Sequence, residues 1–234
     1  MLILAFDTAT PVASVALLDE DRVLASRYFD IGNQHSPTLF VEMSRLFEVS
    51  GRNWGELGAV ATTTGPGSFT GLRIGLSAAK GICLARRIQL VGISTLEALA
   101  ARLPYARLPV WALLDARRGQ VYAAPYETKS GYPEVLSEPR TLAPGILVEE
   151  LAGTEILFTG SGARAYRALL SGLEGAHFAP GQIDNPDAAT VGWLGLAKLD
   201  RREVLEVDAA EPEYLRTPMF ATSNQGPPSG KPGA

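Results

Sequence analysis

The sequence predicts an α/β protein built from two similar halves, and three observations support this prediction. In the first half, short apolar runs separated by polar or proline-containing turns predict elements in the order β-β-β-α-β-α-β-α. Each half begins with an apolar strand that ends at an aspartate, followed by a tight turn and a second strand. The length of 234 residues is sufficient for two small domains. Together these features favour an internal duplication.

The chain opens with a predicted meander of three strands, at Leu2–Phe6, Val12–Leu18 and Val23–Phe29. A helix is then predicted over Ser36–Ser50, because serine can accept hydrogen bonds from the free amides and Pro37 suits the first helical position. His35 precedes this helix, so a solvated or capping role is expected for it.

The first half continues with a strand at Ala59–Thr63, a helix over Leu72–Arg86 and a strand at Leu90–Ile93. Ser94 and Glu97 have the spacing of a capping box, which predicts that another helix begins there. Two prolines within residues 103–109 then interrupt the pattern. We therefore predict a first domain over residues 1–103 and a second over residues 110–216.

The second half repeats the opening pattern, since the strand Val110–Leu114 ends at Asp115 and another strand follows the turn. The remaining predicted strands are Val121–Tyr126 and Ile156–Phe158, and the predicted helices lie over Leu142–Ala152, from Ala163 onward, and over Asp187–Arg201. Residues 217–234 are rich in Pro, Gly and Ser and lack periodicity, which predicts a disordered tail.

Composition excludes several classes of function. A net charge of −4 makes the chain a poor stand-alone binder of nucleic acid. One cysteine, Cys83, excludes a disulfide framework, and the two histidines, His35 and His177, do not form a zinc-binding pair, so no metal site is expected. No run reaches the ~20 apolar residues of a membrane span, and the first residues lack a cationic export signal. We expect a cytoplasmic protein that does not contact membranes.

The segment Gly65–Arg73, with the sequence GPGSFTGLR, is the most distinctive motif. It follows a predicted strand and opens a helix, where free amides can hold a phosphate. However, it has no P-loop lysine, its glycines miss the third position of a dinucleotide fingerprint, and Ser68 lacks a flanking glycine of a hydrolase elbow. The following helix carries a small-residue face that could pack inside the chain or against a partner, formed by Gly71, Gly75, Ala78 and Ala79.

Asp7 and Asp115 each end a predicted strand before a tight turn. Such a pair could orient a magnesium-bound phosphate from both halves, but aspartate also forms turns by bonding to its own following backbone. Pro11 has no N–H to offer a phosphate, and Arg117 and Arg118 are bulky. These features favour turn formation over phosphoryl transfer.

Four segments resemble the TsaB family, also called YeaZ, whose bacterial members take part in making threonylcarbamoyladenosine on tRNA. These segments are Leu4–Thr10, Gly65–Gly75, Asp115–Tyr122 and Glu211–Arg216. The resemblance covers nearly everything except the tail. It implies the α/β fold of the actin/hexokinase/Hsp70 superfamily, with two duplicated domains. It also implies a degenerate paralogue of TsaD, the subunit that carries a metal-binding histidine pair and transfers the threonylcarbamoyl group. This chain lacks such a pair, so a non-catalytic subunit is expected.

The resemblance further implies a scaffold that forms a heterodimer with TsaD, is joined by the ATPase TsaE, and forms a homodimer when alone. Metal and nucleotide are expected on TsaD and ATP on TsaE, so no intrinsic cofactor, catalytic residue or protease activity is expected, and contact with tRNA is expected to be indirect. The family places the TsaD contact on the two helices of the first half. The expected interface residues are Leu39, Met43, Leu46, Phe47, Gly71, Leu72, Gly75, Ala78 and Ala79.

One alternative of another class stays open at this point, a small-molecule kinase or ATPase that uses the superfamily's interdomain cleft. It is motivated by the two aspartates and by the turn that contains two glycines in the second half. The residues expected in this vestigial nucleotide cleft are Asp7, Thr8, Asp115, Gly160 and Gly162.

Overall fold

The computed structural model of the chain describes residues 1–20, 22–30 and 35–215, so the predicted tail lies outside the described residues. The strands are Leu2–Asp7 (β1), Val12–Asp19 (β2), Arg22–Asp30 (β3), Leu57–Gly65 (β4), Gln89–Ser94 (β5), Val110–Arg117 (β6), Gln120–Glu127 (β7), Glu134–Val135 (β8), Arg140–Leu142 (β9), Ile156–Thr159 (β10) and Ala176–Phe178 (β11). The helices are His35–Ser50 (α1), Phe69–Arg86 (α2), Thr95–Ala100 (α3), Pro144–Glu150 (α4), Ser161–Ala165 (α5), Arg167–Leu170 (α6) and Ala188–Asp200 (α7).

The two sheets have the same topology. The first has the strand order β3-β2-β1-β4-β5, and the second has the order β11-β10-β6-β7-β8 with β9 also paired to β7. Each contains an antiparallel hairpin, β1–β2 or β6–β7. The first strand of each hairpin pairs in parallel with β4 or β10, which in turn pairs in parallel with β5 or β11. This repeated pairing confirms the predicted α/β class with duplicated halves.

The first sheet is covered on both faces. One face packs against α1 and α2 around Leu4 and Phe6, and the other packs against α7 around Ile3 and Ala5. The helix α7 therefore joins the core of the first sheet, although the chain reaches it only after the second sheet. We call this sheet with α1, α2 and α7 the first lobe.

The second sheet forms a second lobe with α4, α5 and α6 on one face, around Leu113 and Phe158. The short helix α3 covers its other face through Leu96 and Leu99, which pack with Val110 and Ala112. Because α3 also contacts β4 and β5, it connects the two sheets.

Two local sequence predictions are wrong. The helix predicted from Leu142 begins at Pro144, because residues 140–142 pair with β7 as strand β9. Ser94 occupies the N-cap of α3 but makes no side-chain capping bond. Its expected partner Glu97 accepts instead from the Lys198 ammonium on α7, at 3.0 Å, and this long-range ion pair replaces the capping box.

Candidate functional site

A cleft of about 660 Å³ lies between the two lobes. It is walled by the turns that follow β1 and β6 and by the first residues of α2 and α5. The side chains on its walls include Thr10, Pro11, Ser68, Phe69, Asp115, Arg117, Ser161 and Arg164. The cleft is therefore lined by apolar groups, hydroxyls, two arginines and the Asp115 carboxylate.

Both strand-ending aspartates form the turn that their type favours. The Asp7 Oδ1 accepts from the Ala9 N–H at 3.1 Å, and the Asp115 Oδ1 accepts from the Arg117 N–H at 2.8 Å. In each case the donor lies two residues further along the chain. The same local structure thus recurs in the two halves, which agrees with the duplication and with the turn-forming interpretation.

The two aspartates differ in their access to the cleft. Asp115 lies on the cleft wall with a partly exposed carboxylate. Asp7 is 0% exposed; its Oδ1 also accepts from the Thr63 hydroxyl at 2.6 Å, and its Oδ2 has no hydrogen-bond partner among the described residues. Burial raises the pKa of Asp7 from 3.8 to about 6, against the opposing effect of the hydrogen bonds from Thr63 and Ala9. Asp7 is therefore a buried group of the first lobe.

Three further residues expected in the cleft lie away from its wall. Thr8 is buried and its hydroxyl donates to the Gly71 carbonyl at 2.8 Å. A Cβ on Gly160 would lie 2.2 Å from the Leu113 carbonyl oxygen, and one on Gly162 would lie 2.9 Å from the Leu114 carbonyl carbon. These glycines allow α5 to approach β6 closely. Of the five expected residues, only Asp115 is on the cleft wall.

The described His177 and Cys83 both lie apart from the cleft. Across residues 1–20, 22–30 and 35–215, no group of three or more His, Cys, Asp or Glu side chains is placed to hold a metal ion. His177 pairs with Glu155 at 2.7 Å on the surface, and burial raises the pKa of Cys83 to about 12. The described part of the chain also has no helix with the length and apolar character of a membrane span.

The small-residue face of α2 packs inside the chain. A Cβ on Gly71 would lie 2.0 Å from the Thr8 carbonyl oxygen, and one on Gly75 would lie 2.4 Å from the Thr8 hydroxyl. The other expected interface residues are buried as well, namely Leu39, Met43, Leu46, Phe47, Leu72, Ala78 and Ala79. These residues therefore pack in the core of the first lobe, and the interface assigned to them from the sequence stays a prediction.

A different set of residues, which sequence reasoning missed, lies on the outer side of α1 and α2. On α2 the exposed Ser77, Gly81 and Leu84 recur at helical spacing, and a Cβ on Gly81 would meet no atom within 4 Å. On α1, Phe40 and Val41 are about half exposed, whereas the exposed Val49 lines the groove between α1 and β3. We call Ser77, Gly81, Leu84, Phe40 and Val41 the outer helix face. Its sequence signal is Gly81, because a glycine inside a helix costs about 1 kcal/mol and this one has no packing role within the described chain.

The buried Asp7 predicts a pH dependence of stability. Its folded-state pKa of about 6 exceeds the ordinary value of 3.8, so the protonated form is favoured in the folded state. This contribution is fully present below about pH 4 and is lost as the pH rises through about 6, which amounts to at most about 3 kcal/mol. We expect Asp7→Asn to remove this part of the pH dependence in urea unfolding, because asparagine keeps the acceptor oxygen. Asp115→Asn is the control, and an equal slope in wild type and Asp7→Asn would contradict the assignment.

The chain is similar to known proteins both in sequence and in fold. The chain matches the family model described as TsaD, tRNA N6-adenosine threonylcarbamoyltransferase, over residues 30–225. It is 33% identical to the tRNA threonylcarbamoyladenosine biosynthesis protein TsaB of Escherichia coli, over 92% of this chain and 95% of that protein. The TsaB of Bacillus subtilis is 30% identical over 92% of this chain and 94% of that protein. The structure of YeaZ from Pseudomonas aeruginosa matches with a TM-score of 0.81 and 28% identity, over 92% of this chain and 99% of that one.

Proposed function

The chain belongs to the TsaB (YeaZ) family of tRNA threonylcarbamoyladenosine biosynthesis proteins, and from this membership we propose that it is a non-catalytic subunit of the modifying complex. In this proposal it binds and supports the catalytic paralogue TsaD, and TsaE joins the assembly. The threonylcarbamoyl group is then transferred by TsaD to the adenosine next to the anticodon.

The observation that carries the proposal is the outer helix face. It combines exposed apolar side chains on α1 with Leu84 on α2, and the small Ser77 and Gly81 lie on the same side of α2 as Leu84. We infer that these exposed apolar side chains form an interaction site, because the small residues beside Leu84 allow a second helix to approach closely. A partner with an apolar surface fits this face.

The cleft supports a role without catalysis by this chain. Asp7 is buried, and Asp115 accepts a hydrogen bond from the Arg117 N–H, so both aspartates stabilise the turns that follow them. Pro11, on the wall formed by the first turn, has no N–H to donate to a phosphate. The chemistry of transfer is accordingly assigned to TsaD.

The proposal is tested by titrating TsaD with the purified full-length chain in a calorimeter. We expect a saturable complex with a dissociation constant at or below the micromolar range, about −8 kcal/mol. Leu169→Ala, which removes an exposed apolar side chain on α6, is the control and should bind like wild type. The absence of binding by a folded wild-type chain would refute the proposal.

A small-molecule kinase or ATPase is kept as the alternative, because the cleft volume of about 660 Å³ is within the range of ligand sites. Titration with ATP separates the two functions. Magnesium-dependent binding with turnover that is lost in Asp115→Asn would favour the alternative over the subunit role.

A further inference from the structure

The segment that follows α7 wraps around the edge of the first sheet. Whereas α7 packs on one face of that sheet, residues 203–215 return along the other face beside α2. The Leu205 N–H donates to the Leu90 carbonyl at 2.8 Å, which pairs the segment with the edge strand β5. Ala210 then joins the buried core beside α2, and the partly buried Leu205 and Val207 pack against that core. The segment is thus part of the first lobe.

Polar contacts fix the path of this segment along α2. The Lys80 ammonium donates to the carbonyls of Asp208, at 2.9 Å, and Ala210, at 3.2 Å. The Glu213 N–H donates to the Thr64 carbonyl at 2.8 Å, and the Thr64 hydroxyl donates to the Glu213 carboxylate at 3.2 Å. A Cβ on Gly65 would lie 2.4 Å from the Glu213 carbonyl oxygen. The chain is therefore held tightly against the end of β4.

The last described residues reach the cleft wall and the second lobe. The Tyr214 ring packs on Phe69, a cleft-lining residue, with ring centroids 5.2 Å apart. The Arg73 guanidinium lies 3.8 Å from the Phe69 centroid, and its Nε donates to the Tyr214 hydroxyl at 3.1 Å. One residue later, the Leu215 carbonyl accepts from the hydroxyl of Thr141, on β9 of the second sheet, at 3.4 Å.

We propose that residues 203–215 form an interlobe strap, seated by Tyr214, which holds the two lobes at one separation across the cleft. Backbone hydrogen bonds and the contacts of Lys80 fix the position of the strap along the first lobe. Its last residues, up to Leu215, are held by the stack of Arg73, Phe69 and Tyr214, which lies beside the contact with β9. Release of Tyr214 frees these residues from both the cleft wall and the second lobe. The proposal is independent of the partner and of the tRNA reaction.

The strap is tested by measuring the distance between the lobes in the full-length chain. Spin labels are placed on Ser44→Cys of α1 and Glu149→Cys of α4, both at exposed positions, while native Cys83 is buried. We expect a single narrow distance distribution with wild-type Tyr214. Tyr214→Ala should broaden it about twofold or more, and Tyr214→Phe, which keeps the ring, should leave it narrow. Leu169→Ala is the control for loss of an exposed apolar side chain. An unchanged width in Tyr214→Ala would overturn the proposal.

Hydrogen exchange of the same variants provides a second readout. The Glu213 amide, which donates to Thr64, should exchange at least about tenfold faster in Tyr214→Ala, because opening of the strap becomes a local event. Amides of β1 in the core should exchange as in wild type, which shows that the variant is folded. If the Glu213 amide keeps its wild-type rate, Tyr214 does not seat the strap.

Discussion

Replacement of Gly71 by alanine is expected to lower the free energy of unfolding by at least about 3 kcal/mol. The added methyl group would lie 2.0 Å from the Thr8 carbonyl oxygen. Relief by a backbone shift is opposed because the Thr8 hydroxyl donates to the Gly71 carbonyl and the Ser68 N–H donates to the Ala9 carbonyl at 2.7 Å. Urea unfolding of the purified variant measures the loss.

Gly81→Ala is the matched control, because it introduces the same methyl group into the same helix at a position where no atom lies within 4 Å. Alanine is the better helix former, so this variant should be more stable than wild type by up to about 1 kcal/mol. Equal effects at the two positions would contradict the packing described for α2.

Gly81→Trp is expected to weaken TsaD binding at least about 100-fold, which is a loss of about 2.7 kcal/mol. The new ring would stand on the outer helix face and keep a partner helix at a distance, while the open space around Gly81 leaves the fold intact. Calorimetric titration measures the affinity, and urea unfolding verifies the fold. Gly145→Trp, at an equally open glycine on α4, should bind TsaD like wild type.

A bulky substitution in the interface assigned from the sequence is expected to affect folding, not only binding. A bulky ring at Gly75 would enter the core next to the Thr8 side chain, so it is expected to unfold the first lobe. Wild-type affinity of Gly81→Trp for TsaD would exclude the outer helix face as the contact.

Local pattern was sufficient to predict the strands β1–β7 and β10, the repeated aspartate turns and the helix over residues 188–200. Period-two and helical apolar spacing report which residues are buried, and the aspartates bond to their own neighbours. The burial of Asp7 and the exposure of Asp115 could not be predicted, since the two segments resemble each other and differ only in what the fold places around them.

The sequence also could not distinguish the inner face of α2 from its outer face. Small residues occur at helical spacing on both sides, at Gly71 and Gly75 inside and at Ser77 and Gly81 outside. Apolar periodicity does not show which of the two faces is buried. The tertiary contact of Gly71 and Gly75 with Thr8 shows that it is the inner one. The return of α7 to the first sheet and the pairing of Glu97 with Lys198 are long-range contacts of the same kind.

Reconstituted tRNA modification tests the central claim most directly. TsaD, TsaE, the threonylcarbamoyl adenylate and tRNA are combined with and without the purified chain, and threonylcarbamoyladenosine is quantified. The account predicts product only when the chain is present, full rescue by Asp7→Asn, and little rescue by Gly81→Trp. Full modification without the chain, or threonylcarbamoyl transfer by the chain in the absence of TsaD, would contradict it.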